Sequence, residues 1–322
     1  MGDWAYTKGL HELGNGSYAW LQPDGGWGWS NAGLVCDGGE SLLVDTLFDV
    51  RLTREMLAAM RRAAPEAARI GTLVNTHANG DHCYGNSEVA GARIVASRAS
   101  AEEMDELPPE TMANLMKNAA ALGPGGEFLA RCFAPFQFDG IAHTPPTETF
   151  SGELRLSVGA KEVVLLELGP AHTKGDVIAW LPGDGVVFTG DILFIDGTPI
   201  VWAGPVSNWI AACERIAALD ARVIVPGHGP ITDAKGALRV RDYLVYVRDQ
   251  TRERFDAGLS PADAARDIAL GEYAAWRDAE RIAVNVHTLY REWSAGALGR
   301  ANALELFGLM GELEKRGRAR GG

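Results

Sequence analysis

The sequence predicts an α/β protein with a helical C-terminal extension, and three observations carry that reading. Short apolar runs at residues 70–74, 163–166, 186–188 and 223–225 each lead into a Gly-marked turn with a His or Asp in or just after it. Helix-period patterns stand between several of these runs. From about residue 233 onward the pattern is helical. Apolar runs of this length, bounded by turn residues, read as strands, and their alternation with helical stretches marks the α/β class.

Residues 1–50 read as short strands separated by Gly-rich turns. Residues 52–68 form the first helix, with Leu52, Met56, Leu57 and Met60 on its apolar face. It returns the chain to the strand at 70–74. Residues 98–122 are helical, interrupted by Pro108 and Pro109, with Met104, Met112, Leu115 and Met116 apolar; the three methionines read as core packing, with an adaptable lid over an apolar substrate as the alternative. Residues 123–150, rich in Gly, Pro and Phe, are expected to be irregular. Strands resume at 153–168, 177–181 and 186–189, followed by a helix at 207–219 and a strand at 222–225. Ser260, Pro261, Ala262 and Asp263 read as a helix start. The basic, Gly-rich tail at 315–322 is expected to fray. Residues 1–240 therefore read as the main α/β domain and 241–322 as a helical extension packed on it.

A chain of 322 residues suffices for one large domain with an appendage. Hydrophobic content of 47% and charged content of 22% describe a globular protein. No run of about 18 apolar residues predicts a membrane span. The first residues lack a basic start and an apolar core of an export signal, and Cys36, Cys83, Cys132 and Cys213 have no framework spacing. Both observations read as a cytoplasmic protein with reduced thiols. A formal net charge of -12 disfavours nucleic acid, which needs a basic surface. The expected partner is a small-molecule substrate, with neither nucleic acid nor membrane, and a homodimer is left open.

The chemistry concentrates at Thr76, His77, Ala78, Asn79, Gly80, Asp81 and His82. Two imidazoles, a carboxylate and an amide fall within six residues, just after an apolar strand. Imidazole and carboxylate are the usual ligands for zinc and neighbouring metals. Four of the seven histidines (His77, His82, His172 and His228), together with Asp191, follow strand ends in this way. Strand ends on one side of a sheet converge, so these donors can form a single site.

The order H-x-[H]-x-D-H, a later His172, Thr189-Gly190-Asp191, and Pro226-Gly227-His228-Gly229-Pro230 resembles the metallo-β-lactamase superfamily of hydrolases, over roughly residues 15–235. Asn31 to Val35 and Ser41 to Thr46 resemble its opening strand pair, which ends in an Asp, here Asp45, that supports the metal ligands. The resemblance implies an αββα sandwich: two mixed sheets face to face, helices outside, and the metal site at one edge. It also implies that His77, the residue at 79 and His172 hold one metal, that Asp81, His82 and His228 hold a second, and that Asp191 bridges them. Asp81 would ligate and also orient the attacking water.

Asn79 departs from the pattern, since a carboxamide oxygen is a weaker donor than imidazole and suits harder ions. Three readings stand for zinc, one or two ions: two metals with Asn79 as a weak ligand or spectator; one metal in the second site; or a dead site retained as a scaffold. Iron or manganese are alternatives to zinc. The expected function is metal-dependent hydrolysis of a small, partly apolar ester, lactone, thioester or amide. Its rivals are a mononuclear iron oxygenase using His77, His172 and Asp191, and a binding protein with a degraded site. Trp27 and Trp29, around a Gly-hinged turn at 24–28, and Trp202 are candidate substrate walls. Trp20 shares the first region. His11, His143, His287 and Cys83 read as structural or surface residues.

Overall fold

The computed structural model describes residues 4–23, 26–89, 91–295, 297–299 and 302–321. The predicted turn residues Asp24 and Gly25 lie outside the described residues. Among those described, twelve strands make two mixed sheets.

The first sheet follows chain order. Strands β1 (Gly9–Gly14), β2 (Ser17–Leu21), β3 (Ala32–Asp37) and β4 (Glu40–Val44) pair antiparallel. Then β5 (Thr72–Val74), β6 (Arg93–Ser97) and β7 (Glu148–Phe150) add in parallel. Parallel neighbours need crossovers. Helix α1 (Val50–Ala63) makes the first, capped by the Asp49 carboxylate, which accepts the Leu52 N–H at 2.7 Å. The short α2 (Gly80–Cys83) lies in the second, and α3 (Arg98–Met104), α4 (Pro109–Asn118) and α5 (Gly123–Phe133) in the third.

The second sheet runs β12 (Val223–Val225), β11 (Val186–Phe188), β10 (Val177–Leu181), β9 (Lys161–Glu167), β8 (Glu153–Val158). It is antiparallel except for β11 with β12, joined through α6 (Val206–Ala217).

Alternation along the strands builds the layers. Leu42, Val44, Val74, Val95, Val186, Phe188, Val223 and Val225 point into the core between the sheets. Their neighbours Leu43, Leu73, Ile94, Val187 and Ile224 point the other way, into the cores beneath the helices. Both faces of each sheet are therefore buried, and the result is a four-layered αββα sandwich.

The C-terminal helices are α7 (Ala234–Asp256), α8 (Pro261–Asp267), α9 (Ile282–Trp293) and α10 (Ala303–Gly321). Helix α7 runs unbroken across residue 240 and packs on α6, while α9 packs on α7 and α10 on α5. Ser260 caps α8, as its sequence predicts. Among the described residues no helix is long and apolar enough to cross a membrane.

Two expectations need correction. Residues 123–150 are not wholly irregular, since they contain α5 and β7. The glycines of α5 are contact residues: a Cβ on Gly125 would lie 2.0 Å from the Leu304 carbonyl oxygen of α10, and one on Gly126 would lie 2.1 Å from the Ala119 carbonyl oxygen. Pro124 stands in the first helical turn, where its missing N–H costs nothing. The tail also remains helical, as part of α10 to Gly321.

Candidate metal centre

The donors stand past the ends of five strands. Asp45 follows β4; His77, Asp81 and His82 follow β5; His172 follows β9; Asp191 follows β11; and His228 follows β12. Two glycines make room. A Cβ on Gly190, which has φ +50°, would lie 2.4 Å from Thr76 Oγ1, and one on Gly227 would lie 2.0 Å from Asp191 Oδ1. Any larger residue at either position would push Asp191 or the His77 strand end aside.

Each imidazole is held at Nδ1 and leaves Nε2 facing inward. His82 Nδ1 donates to Asp45 Oδ2 at 2.9 Å, His172 Nδ1 to the Ile200 carbonyl at 2.7 Å, and His228 Nδ1 to the Trp29 carbonyl at 3.0 Å. His77 Nδ1 lies 3.0 Å from Thr76 Oγ1. The His228 ring also stacks on Phe194, with centroids 5.0 Å apart. Asp45 is itself saturated, since it accepts the Thr76 N–H and hydroxyl, both at 2.7 Å.

The Nε2 atoms surround Asp191. His77 Nε2 lies 3.6 Å from Asp191 Oδ2, His172 Nε2 3.4 Å and His228 Nε2 3.3 Å from the same oxygen. His228 Nε2 also lies 3.3 Å from Asp81 Oδ2. His82 Nε2 comes within 3.1 Å of Asp191 Oδ1, yet neither atom has a hydrogen-bond partner, nor does His77 Nε2. Three buried polar atoms without partners would each cost about 1–3 kcal/mol. A shared cation satisfies all three. His77, His82 and Asp191 form one three-donor group, and Asp81, His82 and His228 form another. Nitrogen and carboxylate donors at this spacing, with Nδ1 anchored from behind, fit a divalent metal.

Charge divides the cluster. Burial pushes His77 well below the usual histidine range, helped by His82, and pushes His172 down to about 4. Burial opposes protons on His82 and His228 too, but the surrounding carboxylates win: His82 is held well above its usual range and His228 rises to about 9. Asp191 stays well below the carboxylate range despite its burial, because His228, His82 and His77 face it. Asn79 lies with its carboxamide 2.6 Å from His172 Nε2. Since the Ile200 carbonyl can only accept, Nδ1 carries the proton of a neutral His172, so the Asn79 amide meets Nε2 best through its NH₂ end.

A cavity of about 460 Å³ opens over the donors, with Asn79, Asp81, His172, Asp191 and His228 in its lining. Its walls are largely apolar and include Trp27, Met112, Leu129, Phe133, Trp202 and Phe307. Arg281 and Arg291 add cationic groups and Glu103 and Glu106 add carboxylates, with His287 also in the lining. Of the candidate substrate walls, Trp27 and Trp202 line this cavity, whereas the Trp29 ring packs against Phe136 at 4.9 Å outside it. Trp27 is clamped rather than free: Arg281 lies 4.3 Å over its ring, its Nε1 donates to Glu280 at 3.1 Å, and Phe307 lies 5.5 Å away. Trp20 is buried in the core, and the Cys83 thiol is buried against the Ala78 carbonyl. His11 contacts the Thr7 carbonyl, and His143 pairs with Asp105. His287, read from sequence as a structural or surface residue, lines the cavity.

Sequence reasoning missed the walls from α5, α9 and α10. The phenylalanines at 128, 133, 136 and 138 were the available signal, since such aromatic density belongs in a core rather than a loop.

Residues 25–228 match the family model described as the metallo-beta-lactamase superfamily. A linear primary-alkylsulfatase of Pseudomonas sp. is 24% identical over 265 residues, covering 73% of this chain and 49% of that protein. A hydroxyacylglutathione hydrolase of Cupriavidus metallidurans is 29% identical over 213 residues, 64% of this chain and 61% of that protein. Among solved structures, an inverting sec-alkylsulfatase from Pseudomonas sp. superposes with a TM-score of 0.66 at 16% identity, covering 91% of this chain and 51% of that one. A metallo-beta-lactamase from Pontibacter korlensis gives 0.56 at 17% identity, covering 73% and 98%. The chain thus spans about half the length of the alkylsulfatases it matches and less than two thirds of the hydroxyacylglutathione hydrolase. The structural likenesses establish a shared fold, and the two curated relatives are hydrolases by name.

Proposed function

This chain belongs to the metallo-beta-lactamase superfamily, and from that premise we propose that it is a metal-dependent hydrolase of a small, partly apolar ester, lactone, thioester or amide. The observation that carries the reading is the convergence of inward-facing Nε2 atoms and two carboxylates on the floor of an apolar cavity. His77 and His172 would hold one ion, with Asn79 beside it. Asp81, His82 and His228 would hold another, and Asp191 would lie between them. A bound divalent ion supplies Lewis acidity, polarising a substrate oxygen and acidifying water near neutral pH.

The protein's own groups do the rest. Asp81 reaches the cavity and accepts a hydrogen bond from the attacking water, which fixes its orientation. Trp27 and Trp202 hold the apolar part of the substrate, and the apolar walls exclude bulk water. Zinc suits the imidazole and carboxylate donors, and iron or manganese would suit an Asn79 oxygen better. Residues 1–240 would carry the chemistry, with 241–322 as an extension completing the cavity.

A second reading refines the substrate to a sulfate ester of an apolar alcohol. It draws on the alkylsulfatase relative and on Arg291, which lines the apolar cavity and suits an anionic head on an apolar chain. The test is metal analysis of the purified protein, with turnover of a panel of alkanoyl esters, lactones, thioesters, a β-lactam and alkyl sulfates. Metal-dependent turnover of any acyl substrate supports the main reading, and turnover confined to alkyl sulfates supports the second. Absence of bound metal, with metal-independent behaviour throughout, refutes both. Oxygen consumption with a persulfide would favour the iron oxygenase. Within the hydrolase reading, Trp27→Ala should raise KM about 10-fold with a smaller change in kcat, as loss of one buried aromatic contact predicts. Trp29→Ala should lower stability and leave KM near wild type, since its ring lies outside the cavity.

A further inference from the structure

The segment at 198–203 separates His172 from α9, and over residues 199–202 its backbone groups alternate between them. The even residues 200 and 202 face the metal centre. The Ile200 carbonyl accepts from His172 Nδ1 at 2.7 Å, and the Trp202 N–H donates to the His172 carbonyl at 3.1 Å. Residues 199 and 201 face α9, and the alternation ends at 203, whose N–H donates to the His172 carbonyl at 3.1 Å while its carbonyl turns to α9. Asn285 Nδ2 donates to the Pro199 carbonyl at 2.9 Å, while Asn285 Oδ1 accepts the Val201 N–H at 2.8 Å. Thr288 Oγ1 donates to the Val201 carbonyl at 2.7 Å, and Arg291 Nη2 to the Ala203 carbonyl at 2.9 Å. Arg281 Nη1 adds a bond to the Thr198 carbonyl at 2.9 Å.

In extended backbone, successive residues present their N–H and C=O groups to opposite sides. A carboxamide that takes the carbonyl of 199 and the N–H of 201 does what a neighbouring strand would do. It turns the carbonyl of 200 to the far side, where His172 waits. Asn285 is buried, with 1% of its surface exposed, and its Nδ2 also bonds the Tyr243 hydroxyl at 3.0 Å, so its amide cannot turn over without losing partners. Asn285 and Thr288 are three residues apart on α9 and so share a face.

We propose that Asn285 is a positioning residue for the metal centre: through the Ile200 carbonyl it sets the tautomer and aim of His172, so that α9 controls the half of the centre His172 serves without touching it. The metal part of this statement rests on the hydrolase reading above; the orientation of His172 does not. A carbonyl behind a ligating imidazole fixes its tautomer and direction, and removing such outer partners typically costs 10–100-fold in metal affinity.

The experiment compares wild type, Asn285→Ala, Asn285→Asp and Val286→Ala. Val286 is buried on the same helix and forms none of the stitches, so its truncation reports loss of packing alone. The first readout is the imidazole ¹⁵N spectrum of His172 in metal-free protein. Wild type and Val286→Ala should show the Nδ1–H tautomer, and Asn285→Ala a mixture. Asn285→Asp keeps the acceptor for Val201 and loses the donor to Pro199, so it should fall between them. The second readout is cobalt(II) titration by visible absorption. Asn285→Ala should weaken one equivalent about 10–100-fold and leave the other within about twofold, while Val286→Ala lowers the melting temperature and leaves both equivalents as in wild type. An unchanged His172 tautomer in Asn285→Ala overturns the proposal. So does equal weakening of both equivalents, or the same pattern in Val286→Ala. If wild type binds no cobalt at all, the hydrolase reading fails and the control of metal affinity falls with it, while the tautomer result still decides the orientation claim.

Discussion

The His82 side of the donor cluster and the His172 side are held by different means. His82 leans on a buried carboxylate, Asp45, from the adjoining strand end, and its own carbonyl is held by the Thr46 N–H and Asn75 Nδ2, each at 3.0 Å. His172 leans on a neutral carbonyl whose direction depends on a helix more than a hundred residues away, and its Nε2 faces the Asn79 carboxamide rather than a third imidazole. The consequence is electrostatic. Carboxylates keep protons on His82 and His228, while burial keeps His77 and His172 neutral. One half must surrender protons to accept a cation, and the other need not.

The largest expected effect tests the protonated half. His82→Ala and His228→Ala each remove one of three terminal donors, so activity should fall by more than the roughly 100-fold that loss of an outer partner costs. Metal content measured after dialysis should fall with it. Wild-type metal content and turnover in both variants would refute the donor assignment.

Next comes the support beneath His82. Asp45→Ala should weaken metal binding about 10–100-fold and lower the melting temperature, because it strands the Thr76 N–H and His82 Nδ1 in the interior. If Asp45→Ala binds metal as wild type does, the carboxylate anchor is dispensable and the contrast between the halves fails.

A smaller effect appears with pH. His228 titrates at about 9 in the metal-free fold, above its unfolded value of about 6.5. The stabilisation from its proton is therefore complete below about pH 6.5 and is lost as pH rises through about 9. Metal-free protein should melt at progressively lower temperature across that window. Metal binding displaces the same proton, so affinity at the His82 and His228 half should rise with pH up to about 9. Affinity at the His77 and His172 half should stay flat above about pH 4. Calorimetry in buffers of different ionisation enthalpy counts the released protons, and zero release at pH 7 would contradict the division.

The smallest expected change is at the neutral half. Asn79→His replaces an amide with imidazole, so the weaker equivalent in a zinc titration should tighten. If wild type already holds two equivalents as tightly as the variant, Asn79 is no weak point.

Much of this centre is legible along the chain because each donor sits beside the turn that presents it. The β5 end carries His77, Asp81 and His82 within six residues, and the glycines at 190 and 227 mark the turns before Asp191 and His228. The unbroken apolar runs at 42–44 and 186–188 likewise fit strands buried on both faces. These are local rules, read from neighbours in sequence.

Tertiary structure decided the rest. Glycines at 125 and 126 look like helix breakers, yet they are where α10 and the Ala119 carbonyl come within van der Waals reach of α5. Trp27 and Trp29 are equivalent in sequence, and only the clamp of Arg281, Glu280 and Phe307 puts the first in the cavity wall. Nothing in the sequence around Asn285 sets it behind His172, and that place follows from α9 crossing the segment at 198–203. Turn chemistry and strand periodicity act over a few residues, so one sequence records them. Close helix crossings and hydrogen bonds between segments more than eighty residues apart depend on how whole elements dock, and no local pattern encodes that.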